Sequence, residues 1–205
     1  MAIDFKKCRE TKSGNVVTPK ARMSFPSLFT PRTPPGSDKA KYQLSLLIPA
    51  DCDISLLKQA AQKAAKEKWG DKMPKQLKSP FLDAGDHEYE GYVAGMVLIR
   101  ANSLQKPGVI NAAGEHVTDE SEVYPGRWCC ASLRAFAYDT SGNRGVAFGL
   151  QNVQLLDHDE PIGGRSRAED DFEPVPVEGG TKEDAGSLFD AKDKPATGGG
   201  QSIFG

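Results

Sequence analysis

The chain has 205 residues, 38% of them hydrophobic, with 21 Gly and 14 Pro, which allows one domain of ordinary size plus an appendage that does not fold. Its net charge of −2 averages two unlike parts, since residues 1–156 hold 21 Lys and Arg against 16 Asp and Glu (+5) and residues 157–205 hold 5 against 12 (−7). The longest apolar run, VAGMVLI at 93–99, is far short of the ~20 residues a membrane helix needs, so a basic body with an acidic end and no membrane contact is the expectation.

MAIDFKKC lacks the apolar stretch of a secretory signal. Cys8, Cys52, Cys129 and Cys130 show neither CxxC nor disulfide-like spacing, which points to reduced thiols and a cytoplasmic location. Residues 1–13 are charged and read as loose.

From Val16 to Phe29 the pattern alternates, predicting a first strand with Val17, Ala21, Met23 and Phe25 inward and Thr18, Lys20, Arg22 and Ser24 outward. Pro19 and Pro26 argue for an edge position or bulges in it. After a Pro-rich, cationic loop at 30–41, KYQLSLLIP gives a second strand in which Tyr42, Leu44, Leu46 and Ile48 alternate against Lys41, Gln43 and Ser45.

Asp53 is placed to cap a helix from Ile54 to Trp69 that stops at Gly70, with Ile54, Leu57, Ala61, Ala64 and Ala65 as its apolar stripe. Lys58, Lys63, Lys66 and Lys68 form its solvated face. Residues 71–91 read as a loop, 91–103 as a third, largely apolar strand, and 104–126 as an extended loop with a minor hairpin at Ala113-Gly114.

Residues 127–156 read as one β-hairpin, the element around which the rest is organised. Cys129, Ala131, Leu133, Ala135 and Ala137 alternate with Trp128, Ser132, Arg134, Phe136 and Tyr138. Pairing Asp139 with Arg144 across the turn places Tyr138 against Gly145, Phe136 against Ala147 and Arg134 against Gly149. On the other face Ala137, Ala135 and Leu133 meet Val146, Phe148 and Leu150, small opposite large, as a narrow interior requires. Outward rings over glycines either shield those glycines or form a platform on which unpaired bases stack; Arg134 among them favours the platform. The predicted architecture is mainly β, a five-stranded Greek-key barrel with one embedded helix over residues 1–158, followed by a disordered acidic tail at 159–205.

The sequence gives little support for catalysis. His87, His116 and His158 are scattered, and no Walker A, GxGxxG or GxSxG motif occurs. Asp83, Asp86, His87, Glu88 and Glu90 in FLDAGDHEYE read as a solvated acidic loop rather than a metal site. No enzyme activity, cofactor or metal is expected.

RMSFPSLFTP (22–31), YQLSLLIP (42–49), YPGRW (124–128), LRAFAYD (133–139) and NRGVAFGLQNVQLL (143–156) together resemble the phage-type single-stranded DNA-binding proteins with an OB-fold, relatives of the podophage replication proteins of that kind. The resemblance spans nearly all of residues 1–160. It implies a sequence-independent binder that coats single-stranded DNA in replication or recombination, with an acidic tail that contacts other replication proteins and shields the DNA groove. Here the tail departs from the podophage pattern, since Phe204 is penultimate; EDDF and SLFD, carrying Phe172 and Phe189, are alternative docking motifs.

On this reading Lys20, Arg22, Lys41, Arg100, Arg127 and Arg134 track phosphates, and Tyr42, Trp128, Phe136 and Tyr138 stack bases. An RNA-binding OB protein and a structural phage protein with an aromatic protein interface are the rival readings, and a homodimer is left open.

Overall fold

A computed structural model describes residues 3–140 and 142–163. The described residues are mainly β with one α-helix. Its elements are β1 (Arg9–Glu10), β2 (Val16–Val17), β3 (Ala21–Arg32), β4 (Lys41–Ile48), α1 (Ser55–Trp69), β5 (Leu82–Asp83), β6 (Val97–Ser103), β7 (Gly108–Ile110), β8 (Trp128–Thr140) and β9 (Asn143–Leu155), with single 3-10 turns at Ala84–Asp86 and Glu120–Glu122.

All the strands join one sheet. β3 pairs antiparallel with β4, β4 with β6, β6 runs parallel to β9, β9 pairs antiparallel with β8, and β8 returns to β3 through Ala21–Cys129 and Arg22–Trp128. The five long strands therefore form a closed circuit of pairings. The short strands finish the edges: β7 and a bridge at Lys78 cover the margin of β9 that β6 does not reach. This leaves little unpaired backbone for another chain to add to.

The hairpin has the register that its side-chain pattern predicts. Asp139 pairs with Arg144, Tyr138 with Gly145, Phe136 with Ala147, Arg134 with Gly149, and Ala135 with Phe148; one irregularity follows, between Ser132 and Leu133. Phe148, Leu133, Leu150, Met23, Leu44, Leu46, Ile48 and Ile99 are fully enclosed and form the interior. Leu57, Ala61 and Ala65 of α1 pack onto it. The helix starts after Asp53, whose carboxylate accepts the Ser55 N–H at 2.9 Å, and stops at Gly70, φ +53°, leaving its lysines exposed. The minor hairpin at 111–116 also forms, with Gly114 N–H donating to the Asn111 carbonyl.

The first predicted strand differs. It breaks between Val17 and Ala21, and Thr18, expected outside, is buried with its hydroxyl accepting the Ala131 N–H at 3.0 Å. A bulge between Ser24 and Ser27 then reverses the alternation. Ser24 turns in, and Phe25, expected inside, turns out. The third strand begins only at Val97, because 91–96 are held in turns.

A second, smaller apolar cluster lies on the outer side of β4 and β6. There Leu47 and Leu98 are covered by Ala84 and Ile162, with Leu82, Tyr92 and Met96 against them. The packed chain thus runs past residue 158, the expected boundary, to at least Ile162. The tail motifs around Phe172, Phe189 and Phe204 lie outside the described residues.

Candidate nucleic-acid interface

Registers across the sheet align its outward side chains into rows. Ser45 of β4 pairs with Arg100 of β6, and Gln43 with Asn102. Asn102 stands beside Gly149 of β9, and Gly149 opposite Arg134 of β8. Two residues along, on the same face, Arg100 is level with Ala147, which faces Phe136. A line over the outer surface thus runs from β3 through Arg100 and Asn102 to Arg134 and Phe136.

At the β3 end this line opens into a cleft of about 900 Å³ lined by Phe25, Lys41, Gln43, Tyr89, Tyr92 and Arg100, among others. Phe25 sits at the bulge with φ +45°, a conformation that costs a non-glycine residue about 1–3 kcal/mol. The bulge turns its ring outward, 48% exposed. Tyr89, 52% exposed, meets Phe25 edge-on at 5.2 Å between ring centres, and Tyr92 meets Tyr89 at 5.3 Å. The Tyr92 hydroxyl bonds the Ser24 hydroxyl at 3.1 Å, tying the loop to the residue before the bulge. His87 lies 6.2 Å from Tyr89, nearly parallel, and its Nε2 is 3.2 Å from the Arg100 guanidinium.

At the other end, Phe136 is 42% exposed and Arg134 is exposed beside it. The Phe136 ring lies over Gly149, 3.8 Å from where a Cβ would stand. Tyr138 lies over Gly145, but Lys78 crowds the same glycine from its own strand bridge, and Tyr138 is half-buried. No carboxylate among the described residues pairs with Lys41, Arg100 or Arg134.

The start of β8 presents the opposite case. The segment 157–163 folds back across it. Lys20 pairs with Asp157 at 2.5 Å, and Arg22 with Asp159 at 3.3 Å. Arg22 also donates to the carbonyls of Gly126 (3.0 Å) and Glu160 (2.6 Å). The Trp128 indole N–H donates to Asp159 at 2.8 Å, while the Lys20 and Arg22 cations lie 4.8 and 5.7 Å from its ring centre. The Lys20 ammonium holds the Asp157 carboxyl below the usual range. Asp159 is lowered first by the Glu160 N–H and then by the Trp128 indole.

Of the ten residues expected to contact nucleic acid, Lys41, Arg100, Arg134 and Phe136 thus lie along one open line, with Tyr138 half-covered at its margin. Lys20, Arg22 and Trp128 are engaged by the chain's own carboxylates. Arg127 is a correction: it is buried, paired with Glu122 and donating to the Glu122 and Leu156 carbonyls, so it serves the fold. Tyr42 has the parity of the buried Leu44 and Leu46 and is not among the residues that line the cleft.

Phe25, Tyr89, Tyr92 and His87 are the members that composition and alternation missed. Their signal was present: Phe-Pro inside a strand pattern marks a bulge, and the acidic loop 81–92 carries two tyrosines and a histidine.

Among the described residues no group of His, Cys, Asp or Glu is arranged to hold a metal, and no helix is long and apolar enough to cross a membrane. The four cysteines are unpaired. Burial pushes the thiols of Cys8 and Cys130 to about 11 and that of Cys129 higher still.

The sequence model of a family described as "Enterobacter phage Enc34, ssDNA-binding protein" matches residues 14–185. No curated protein matches the sequence. Among solved structures, the single-stranded DNA-binding protein of bacteriophage Enc34 in complex with ssDNA is similar at 22% identity, over 80% of this chain and 96% of that one, with a TM-score of 0.66. A further structure of the single-stranded DNA-binding protein of bacteriophage Enc34 is similar at 24% identity, over 84% of this chain and 97% of that one, with a TM-score of 0.63. The gp2.5 single-stranded DNA-binding protein of bacteriophage T7 gives 16% identity, 82% and 97% coverage, and 0.51.

Proposed function

Because the chain belongs to the family of the Enterobacter phage Enc34 ssDNA-binding protein, we propose that it coats single-stranded DNA of any sequence, by base stacking and phosphate contact and without catalysis. The observation that carries this reading is the open line of aromatics and unpaired cations from Phe25 and Tyr89 through Arg100 to Arg134 and Phe136. Each base laid on such a ring is worth ~1–3 kcal/mol regardless of its identity. Duplex DNA offers no free base faces and binds weakly.

The closed circuit of five long strands supports a five-stranded Greek-key OB barrel as the scaffold. Work in phage replication or recombination, in the cytoplasm of an infected cell, fits the family. The acidic residues after 163 are suited to contact partner proteins and to compete with DNA for the cations.

The test is a titration of labelled oligo(dT), matched RNA and duplex DNA across a salt series. Saturable oligo(dT) binding that weakens with salt is expected, with duplex far weaker. If Lys41, Arg100 and Arg134 each meet a phosphate, they contribute about −2 to the slope of log affinity against log salt. Tighter binding of RNA would move the reading to an RNA-binding protein, and no binding to any oligonucleotide would move it to a protein interface.

A further inference from the structure

We infer that residues 157–163 are a fixed latch of the interface and that Ile162 is its positioning residue, seating the loop that carries Tyr89 and Tyr92. This rests on the reading of the cleft as the DNA track.

The latch is built into the fold. Gly126, at φ +103°, passes beneath it so closely that a Cβ there would stand 2.5 Å from the Glu160 carbonyl and 2.8 Å from the Ile162 nitrogen. Gly91, at φ +77°, passes the other side, where a Cβ would lie 2.7 Å from Ile162 Cγ2. Both glycines thus combine a left-handed backbone with an approach that no side chain permits. The Ile162 N–H donates to the Pro125 carbonyl at 3.0 Å, and the Gly163 N–H to the Glu90 carboxylate at 3.2 Å. The Tyr124 hydroxyl bonds His158 Nδ1 and the backbone of Asp159. The Ile162 side chain is buried against Leu47, Leu98 and Ala84, with Tyr92 and Met96 at its margin.

From Ile162 a packed path leads to the DNA side. Tyr92 touches the Ile162 cluster, bonds Ser24 and stacks edge-on with Tyr89, and Tyr89 meets Phe25. Residues 88–90 and 93 are exposed, and the loop's remaining anchor is His87, which bonds the Ala84 carbonyl and Arg100 and meets the Tyr92 ring. Shortening Ile162 therefore loosens the aromatic loop while leaving the interior around Phe148 intact. The same change also frees Lys20 and Arg22, because Asp157 and Asp159 lie on the latch. Loss of stacking and gain of cations act oppositely on affinity, and salt separates them.

The experiment compares full-length Ile162→Ala, Ile162→Val and Phe25→Ala with the unaltered chain, measuring oligo(dT) affinity across salt and thermal stability. Ile162→Ala is expected to weaken binding on the order of tenfold at moderate salt, as for one lost stack, while the salt slope steepens as Lys20 and Arg22 become available. Ile162→Val restores most of the affinity. Unchanged affinity in Ile162→Ala, or a loss with an unchanged slope, would overturn the latch. If Ile162→Ala does not fold, hydrogen exchange of the unaltered protein decides. Oligo(dT) should protect 157–163 together with 87–92, and deprotection of 157–163 on binding would overturn the proposal. Failure of the unaltered chain to bind oligo(dT) would sink the DNA reading itself. Weakened Phe25→Ala beside an unaffected Ile162→Ala would sink the latch alone.

Discussion

Two corners of the sheet carry the same kinds of side chain and differ in what surrounds them. At the start of β8, Trp128 lies under Lys20 and Arg22, and three carboxylate or carbonyl groups from 157–160 engage all three residues. Across β4 and β6, Phe25 and Tyr89 are exposed beside Lys41 and Arg100, and no carboxylate among the described residues pairs with either cation. If the open corner is the nucleic-acid site proposed above, aromatic and basic residues together are insufficient to mark one. What decides is whether their hydrogen-bonding and charge needs are already met by the fold.

The comparison breaks most easily at the open corner. Replacing Phe25 and Tyr89 together by Ala removes two rings and should weaken oligo(dT) binding by about thirtyfold or more, judged from ~1–3 kcal/mol per stacked base. Alanine at φ +45° keeps the backbone strain that glycine would relieve, so Phe25→Gly should lose as much affinity as Phe25→Ala alone at higher thermal stability. Unchanged affinity in the double variant would mean that DNA lies elsewhere. Next in size, Phe136→Ala should weaken binding about five- to a hundredfold while melting stays near that of the parent, because the ring is half in solvent over Gly149. A fall in melting temperature with intact affinity would make the ring a cover for that glycine.

The hairpin was the most legible part of the molecule. Its alternation, its turn and the Asp139–Arg144 pair together admit one register, and a slip of one residue would have turned Leu133, Ala135 and Ala137 to water. The helix was equally readable from Asp53, its apolar stripe and Gly70. The cleft was not, for two physical reasons. A bulge inverts the two faces of a strand, so period-two reading of 16–29 sent Phe25 to the wrong side. And loop 84–96 owes its place to long-range packing on Leu47, Leu98 and Ile162, to which local pattern is blind. The covering of Lys20, Arg22 and Trp128 was invisible likewise, because the acids that cover them lie 137 residues further along the chain for the two cations and 31 for the indole.

Smaller effects sharpen the contrast. Residues 164–205 hold nine Asp and Glu against five Lys and Arg (−4), so their deletion should raise oligo(dT) affinity a few-fold at low salt and leave it unchanged at high salt, where such attraction is screened. An equal affinity at low salt would exclude competition by the tail. Lys20→Ala should change affinity by less than about twofold, since the cation is already paired and an exposed pair of this kind is worth ~0–1 kcal/mol.

Acidity gives the smallest effect. Asp157 and Asp159 have lowered values in the folded chain, so their stabilising contribution is complete above the ordinary carboxylate range and is lost as pH falls through their folded values. Solvent exchange of the Trp128 indole N–H should therefore quicken only in acid below that range. Quickening near neutrality would mean that the Asp159 bond does not hold it.

The most direct test of the open and closed corners uses Trp128 as its own reporter. In a Trp69→Phe variant, oligo(dT) is titrated while labelled-oligonucleotide anisotropy and tryptophan emission are followed in one cuvette. Saturable anisotropy with nearly constant Trp128 emission is expected, because the indole is held by Asp159 away from the bases. Emission that is quenched in step with binding would place DNA on the β8 start and contradict the division between the two corners.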